Sequence, residues 1–333
     1  MRLDSIYQRL IEFVLRHVWT RKSAAGGLFL SMLLLPADVY AAPPYRGTTL
    51  LGAPSDAQLS ELVSHTDQWA PLRARVGGII HSDHGFNEVS DETLRTLFAV
   101  MASQKISLEL EVGAVKKWSP DGARTFEIER VVWDRVIHLG AHVVSLAMDE
   151  PLVSAISDLH RSPEYAAQEV ARFVSLVRRN YPDLLIGDIE AYPFTSVAAH
   201  ARWIDQVNEK LRQLGVPPLD FYRIDPDFAA FPSKGNWTEV ADIVGACRRR
   251  HLPSSVILWA ATAAGHSQDP ASDRAWFDGL LNEANQLRVT RIRPDQVVVE
   301  SWIRLPSRAL PESDPLTFTG SAMAALAVLR GSP

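Results

Sequence analysis

Carboxylates recur at the ends of short β-branched runs in this chain, and carboxylates brought together in pairs can move protons. Glu109 and Glu111 alternate with Leu108, Leu110 and Val112. Asp188 and Glu190 share a face with Ile186, Arg223 shares one with Asp225 and Asp227, and Val298 shares one with Glu300 and Trp302. Side chains alternate between the two faces of a strand, so each set points one way, and we expect these acid-bearing faces to meet in a common interior. His81 and Asp83 stand together at the end of another run, and Trp259 near the end of one more. A further run ends Met148-Asp149-Glu150-Pro151, where either acid could be the one presented. Pro151 is expected to hold Glu150 in extended backbone.

One carboxylic acid that protonates a leaving oxygen, with a second carboxylate that attacks or activates water, suffices to cleave a glycosidic bond. Trp118, Tyr192, Phe194, Tyr222, Trp259 and Trp302 lie in or just beyond the same run ends and offer ring faces to sugar C–H groups. Other readings use the same residues. Glu109 and Glu111 paired with Arg223 and His81 would be a polar network that satisfies a buried interior. His81, Asp83, Glu150, Glu190, Asp225 and Glu300 could instead hold Mg2+ or Mn2+. No compact ligand motif such as HExxH occurs, and no metal or cofactor is expected. A third reading is a sugar-binding barrel without turnover.

The elements that must position these residues alternate along the chain. Strands are predicted at 48–52, 76–81, 106–112, 142–148, 184–190, 219–225, 255–260 and 296–302. Helical patterns fall at about 56–72, 90–104, 126–139, 163–180, 195–214, 236–251, 271–289 and 320–330, with start signals at Ser90, Ser162 and Asn236. Eight strands, each followed by a helix, are what a closed (β/α)8 TIM barrel requires, and no GxGxxG follows any of them. With no linker-like stretch in between, residues 45–333 read as one α/β domain. Active sites of such barrels form at the C-terminal strand ends, where the acids are.

The chain of 333 residues is 47% hydrophobic and 22% charged, enough to bury one large core. Its formal charge of -5 and lack of long basic runs exclude nucleic acid as an expected partner. The single cysteine, Cys247, forms no internal disulfide and reads as a small buried hydrophobe. Residues 1–41 carry Arg2, Arg9, Arg16, Arg21 and Lys22, then an apolar run Ala24–Leu35, then Val39-Tyr40-Ala41. That order reads as a secretory signal peptide, or a short anchor, giving an exported protein with no stable membrane insertion after cleavage.

The layout and the tripeptide Asp149-Glu150-Pro151 resemble the (β/α)8 glycoside hydrolases, whose large β-glycosidase clan ends its fourth strand in Asn-Glu-Pro. The resemblance implies Glu150 as general acid and a carbohydrate substrate. Asp149 departs from the clan's asparagine, and Val256–Ala260 carries no glutamate where the clan's nucleophile stands; the next acid is Asp269. The partner of Glu150 is therefore sought among Glu190, Asp188, Asp225 and Glu300. Glu190 is the expected base or nucleophile, on the strand next to that of Glu150. His81, Asp83, Glu109, Glu111, Asp149, Asp188, Tyr192, Tyr222, Asp225, Trp259, Glu300 and Trp302 are expected to bind substrate.

Overall fold

Apolar runs of five to eight residues, each closed by a serine, threonine, asparagine or aspartate ahead of an amphipathic stretch, fold as strand and helix in strict alternation. In the computed structural model, which describes residues 48–52, 55–227, 230–259 and 272–331, eight parallel strands close into a barrel in chain order. They are β1 (Thr48–Gly52), β2 (Gly78–Ser82), β3 (Ser107–Val112), β4 (Val143–Asp149), β5 (Leu185–Tyr192), β6 (Phe221–Pro226), β7 (Ser254–Leu258) and β8 (Gln296–Glu300), and β8 pairs back onto β1. The fold is the single-domain TIM barrel expected from the sequence.

Each strand leads to one principal helix: α1 (Asp56–Ser64), α2 (Asp91–Ser103), α3 (Gly122–His138), α4 (Pro163–Asn180), α5 (Val197–Gln213), α6 (Trp237–Arg249), α7 (Asp273–Val289) and α8 (Phe318–Arg330). All eight begin at a side-chain cap. Ser55, Ser90, Asp121, Ser162, Ser196, Asn236, Ser272 and Thr317 each accept a backbone N–H from the first turn. Each cap contributes about 1 kcal/mol. The expected first helix, 56–72, is shorter in the structure, ending at Ser64 and giving way to a 3-10 turn, Thr66–Trp69, and the turn Ala70–Arg73 that carries Pro71.

Two apolar layers separate the faces of the strands. Leu50, Ile80, Ala147, Ile189, Phe221, Ile257, Trp259 and Val298 fill the barrel. Outside it, Leu110, Leu146, Met148, Ile186, Ile224 and Val256 pack against Phe126, Trp133, Phe173, Trp203 and Trp276 of the helices. Cys247 is buried in that outer layer, and burial pushes its thiol up to about 12, as suits an inert residue. Among the described residues no helix is long and apolar enough to cross a membrane. The expected leader, residues 1–41, lies outside the described residues, as do Ala260 and Asp269.

Candidate active site at the barrel mouth

The two layers fix which acids face inward. On β3 the inner face carries Glu109 and Glu111, on β4 Asp149, on β6 Arg223 and Asp225, and on β8 Gln296 and Glu300. Deep in the barrel, Arg223 donates to Glu109 Oε1 at 2.6 Å, to Gln296 Oε1 at 3.0 Å and to Ser255 Oγ at 2.8 Å, while Ser145 Oγ donates to Glu109 Oε2 at 2.6 Å. Both ions are buried and every hydrogen-bonding group faces a partner, so the network is a satisfied floor. Glu109 belongs to this floor and not to a substrate surface, which corrects its expected role. Arg223 also sits 5.2 Å above the Phe221 ring, and only glycine at 187 leaves that ring room, since a Cβ there would lie 2.2 Å from it.

Further along the strands, toward their C-terminal ends, lie the acids of the mouth. Glu300 lies directly against Gly52, where an added Cβ would fall 2.5 Å from Glu300 Cγ. Burial pushes Glu300 up to about 7, with Glu109 and Asp149 adding to it and Arg223 opposing. Burial holds Glu111 well above the usual carboxylate range, and Glu300 and Asp149 push the same way. Asp225 is raised well above its ordinary value by burial, then by Glu150 and Glu300, and its Oδ1 has no hydrogen-bond partner among the described residues. Trp259 and Trp302 pack with ring centres 4.3 Å apart; Trp259 Nε1 donates to Pro226 O at 3.0 Å, and Trp302 is exposed.

Glu150 does not take the extended conformation expected ahead of proline. Its φ of 47° and ψ of 49° are left-handed. The strand ends at Asp149 and the chain enters a helical turn at Pro151, and with the right-handed region closed by proline the left-handed one makes that corner. A non-glycine residue held there stores about 1–3 kcal/mol, a cost concentrated at functional sites. Burial, reinforced by Asp149, pushes Glu150 up to about 7, while Lys116 opposes. Lys116, in the loop after β3, forms an ion pair with Asp149. Burial alone would lower its pKa, yet Asp149, Glu150 and Glu111 together raise it, so the ammonium stays charged.

Other expected site residues face the helices. Asp188 and Glu190 share a face with Ile186, as expected, but that face points out of the barrel. Glu190 accepts from Leu152 N at 2.5 Å and Val153 N at 3.3 Å, capping the turn after Glu150, and Asp188 accepts from Trp203 Nε1 of α5 at 2.5 Å. Burial raises both well above the carboxylate range. Glu190 is thus behind Glu150 and not beside it, and it cannot be the base or nucleophile. Tyr192 donates to Glu239 Oε2 at 2.7 Å, and Tyr222 shares a 2.7 Å hydrogen bond with His200 Nδ1, a ring that burial lowers to about 3. His81 packs edge-on to Phe86 at 5.0 Å, and Asp83 lies with His84 and Glu129 outside the barrel. None of these six expected residues reaches the mouth.

Lys116 was missed by the sequence reading because a lone loop lysine carries no signal before the strand pairing is known. No protein-family model matches the chain, and no curated protein matches its sequence. Among solved structures it is similar to a glucosidase from Croceicoccus marinus, at 15% identity over 85% of this chain and 68% of that one, with a TM-score of 0.54. A fungal β-1,4-galactanase matches at 10% identity over 79% and 91% of the two chains, TM-score 0.52. D-psicose 3-epimerase, solved in the presence of D-fructose, matches at 14% identity over 85% and 98%, TM-score 0.51. At these identities the likeness is one of fold.

Proposed function

We propose that the mouth is the active site of a glycoside hydrolase, with Glu150 as proton donor and Asp225 as the second carboxylate. The observation that carries this reading is the environment of Glu150. A carboxyl raised to about 7 holds its proton near neutral pH and can give it to a leaving oxygen. After burial, Glu150 is the strongest charge acting on Asp225, which supports pairing these two acids. Glu111 and Glu300 accept from sugar hydroxyls, and the exposed Trp302, backed by Trp259, gives the ring face on which a sugar lies. Asp149, with Lys116 against it, supplies fixed negative charge beside the oxocarbenium-like centre. The sequence of residues 1–41 supports export as the setting in which a glycan is met.

The test is to follow new reducing ends as the purified chain meets a panel of neutral oligosaccharides and polysaccharides. The Glu150→Gln chain should lose about a hundredfold or more in turnover, the scale of general acid catalysis. Activity should also fall as pH rises through about 7, where Glu150 loses its proton. Cleavage undiminished in Glu150→Gln would sink the assignment.

A further inference from the structure

Asp83, His84 and Glu129 converge outside the barrel, between the exit of β2, the exit of β3 and helix α3, and the mouth chemistry makes no use of them. One nitrogen and two carboxylate oxygens there lie within 4.8 Å of one another. Each carboxylate accepts from a neighbouring N–H donor. Trp133 Nε1, one turn along α3 from Glu129, donates to Asp83 Oδ2 at 2.9 Å, and Gly113 N donates to Glu129 Oε1 at 2.7 Å. Position 113 must be glycine for this, because a Cβ would lie 2.7 Å from that oxygen. The remaining oxygens, Asp83 Oδ1 and Glu129 Oε2, are buried and have no hydrogen-bond partner among the described residues.

His84 Nε2 lies 3.6 Å from Asp83 Oδ1 and 3.8 Å from Glu129 Oε1. Those separations are too long for hydrogen bonds. They are close to the spacing of about 3.4 Å that two ligands bonded at about 2.1 Å adopt around a tetrahedral cation. His84 keeps a quarter of its side chain exposed, at 27%, while Asp83 and Glu129 are fully buried. Two fully buried carboxylates facing one another are costly without a compensating positive charge.

We propose that Asp83, His84 and Glu129 form a binding site for a first-row divalent cation, Zn2+ by preference, with water completing the coordination on the exposed side of His84. One imidazole and two carboxylates are zinc ligands, and second donors that orient the ligands, here Trp133 and Gly113, are the usual companions of such sites. The cation fastens the end of β2 and the β3 exit to α3. Lys116 stands three residues beyond Gly113, so the same cation steadies the loop that carries the ammonium to Asp149.

The full-length chain, purified without a histidine tag and stripped with EDTA, is mixed with zinc chloride, desalted and assayed for metal by mass spectrometry, with its Tm followed in parallel. One equivalent should be retained, and Tm should rise by about 3–6 °C under saturating zinc. His84→Ala, which removes a partly exposed side chain, and the near-isosteric Glu129→Gln should each lose both effects. Glu150→Gln should keep them. No retained zinc, zinc retained equally by His84→Ala and Glu129→Gln, or zinc lost in Glu150→Gln would each overturn the proposal.

Discussion

The Glu190 carboxylate and the backbone N–H of Leu152 meet at 2.5 Å across the wall of the barrel, so the helical turn that follows Glu150 is capped from the strand next door. Glu150 N in turn donates to Ile189 O at 3.0 Å, the residue before Glu190. The left-handed corner at Glu150 is pinned on both sides by β5.

Glu190→Ala removes the acceptor for Leu152 N and Val153 N. One buried and one part-buried donor left without partners should cost about 1–3 kcal/mol, read as a lowered midpoint in urea denaturation. Because the corner loosens while Glu111, Glu300 and Trp302 are untouched, kcat should fall more than KM rises if the proposed function holds. Unchanged stability would show that the cap does not hold the turn.

Lys116→Met deletes the positive charge that lowers Glu150. The Glu150 pKa should then rise further, and the alkaline limb of the pH–rate profile should move to higher pH. A limb that moves down would mean that another group governs it.

Glu300 carries a raised pKa of about 7 in the folded chain against an ordinary 4.5. The folded state therefore binds the extra proton between these values, and the contribution of Glu300 is fully present below about pH 4.5 and lost as pH climbs through 7. Glu300→Gln should remove a destabilisation of about 3 kcal/mol at pH 8 and flatten the dependence of stability on pH. Thermal unfolding at pH 5.5 and pH 8 measures it, and equal slopes for parent and variant would refute it.

Gly52→Ala should push Glu300 out of place, since the new Cβ would overlap its Cγ. The expected cost is about 1–3 kcal/mol. Adding Glu300→Ala to that chain should restore stability but not activity. Additive losses in the double variant would show that the two residues do not interfere.

The barrel was legible in the sequence because capped amphipathic stretches and apolar runs alternate without interruption. Strand parity was legible on β3, β6 and β8, where one face is apolar and the other polar. On β5 it misled, because a parallel strand in a barrel is buried on both faces and its acids can be satisfied on either. Gly187, Ile189 and Ala191 are the residues that face the tapering interior, where Phe221 takes the space beside Gly187. Asp188, Glu190 and Tyr192 instead meet Trp203, Leu152 and Glu239 from the helical layer, partners that lie 15, 38 and 47 residues away in the chain. The cluster at Asp83, His84 and Glu129 escaped for the same reason: its third member comes from a helix face that reads as ordinary amphipathic surface.

The floor made by Glu109 and Arg223 shuts the barrel at depth. With the guanidinium, its three hydrogen-bond partners and the Phe221 ring packed across the interior, a molecule that reaches the mouth acids does so from the C-terminal strand ends. On the proposed function, substrate arrival and product departure use that same end, and the exposed Trp302 meets both.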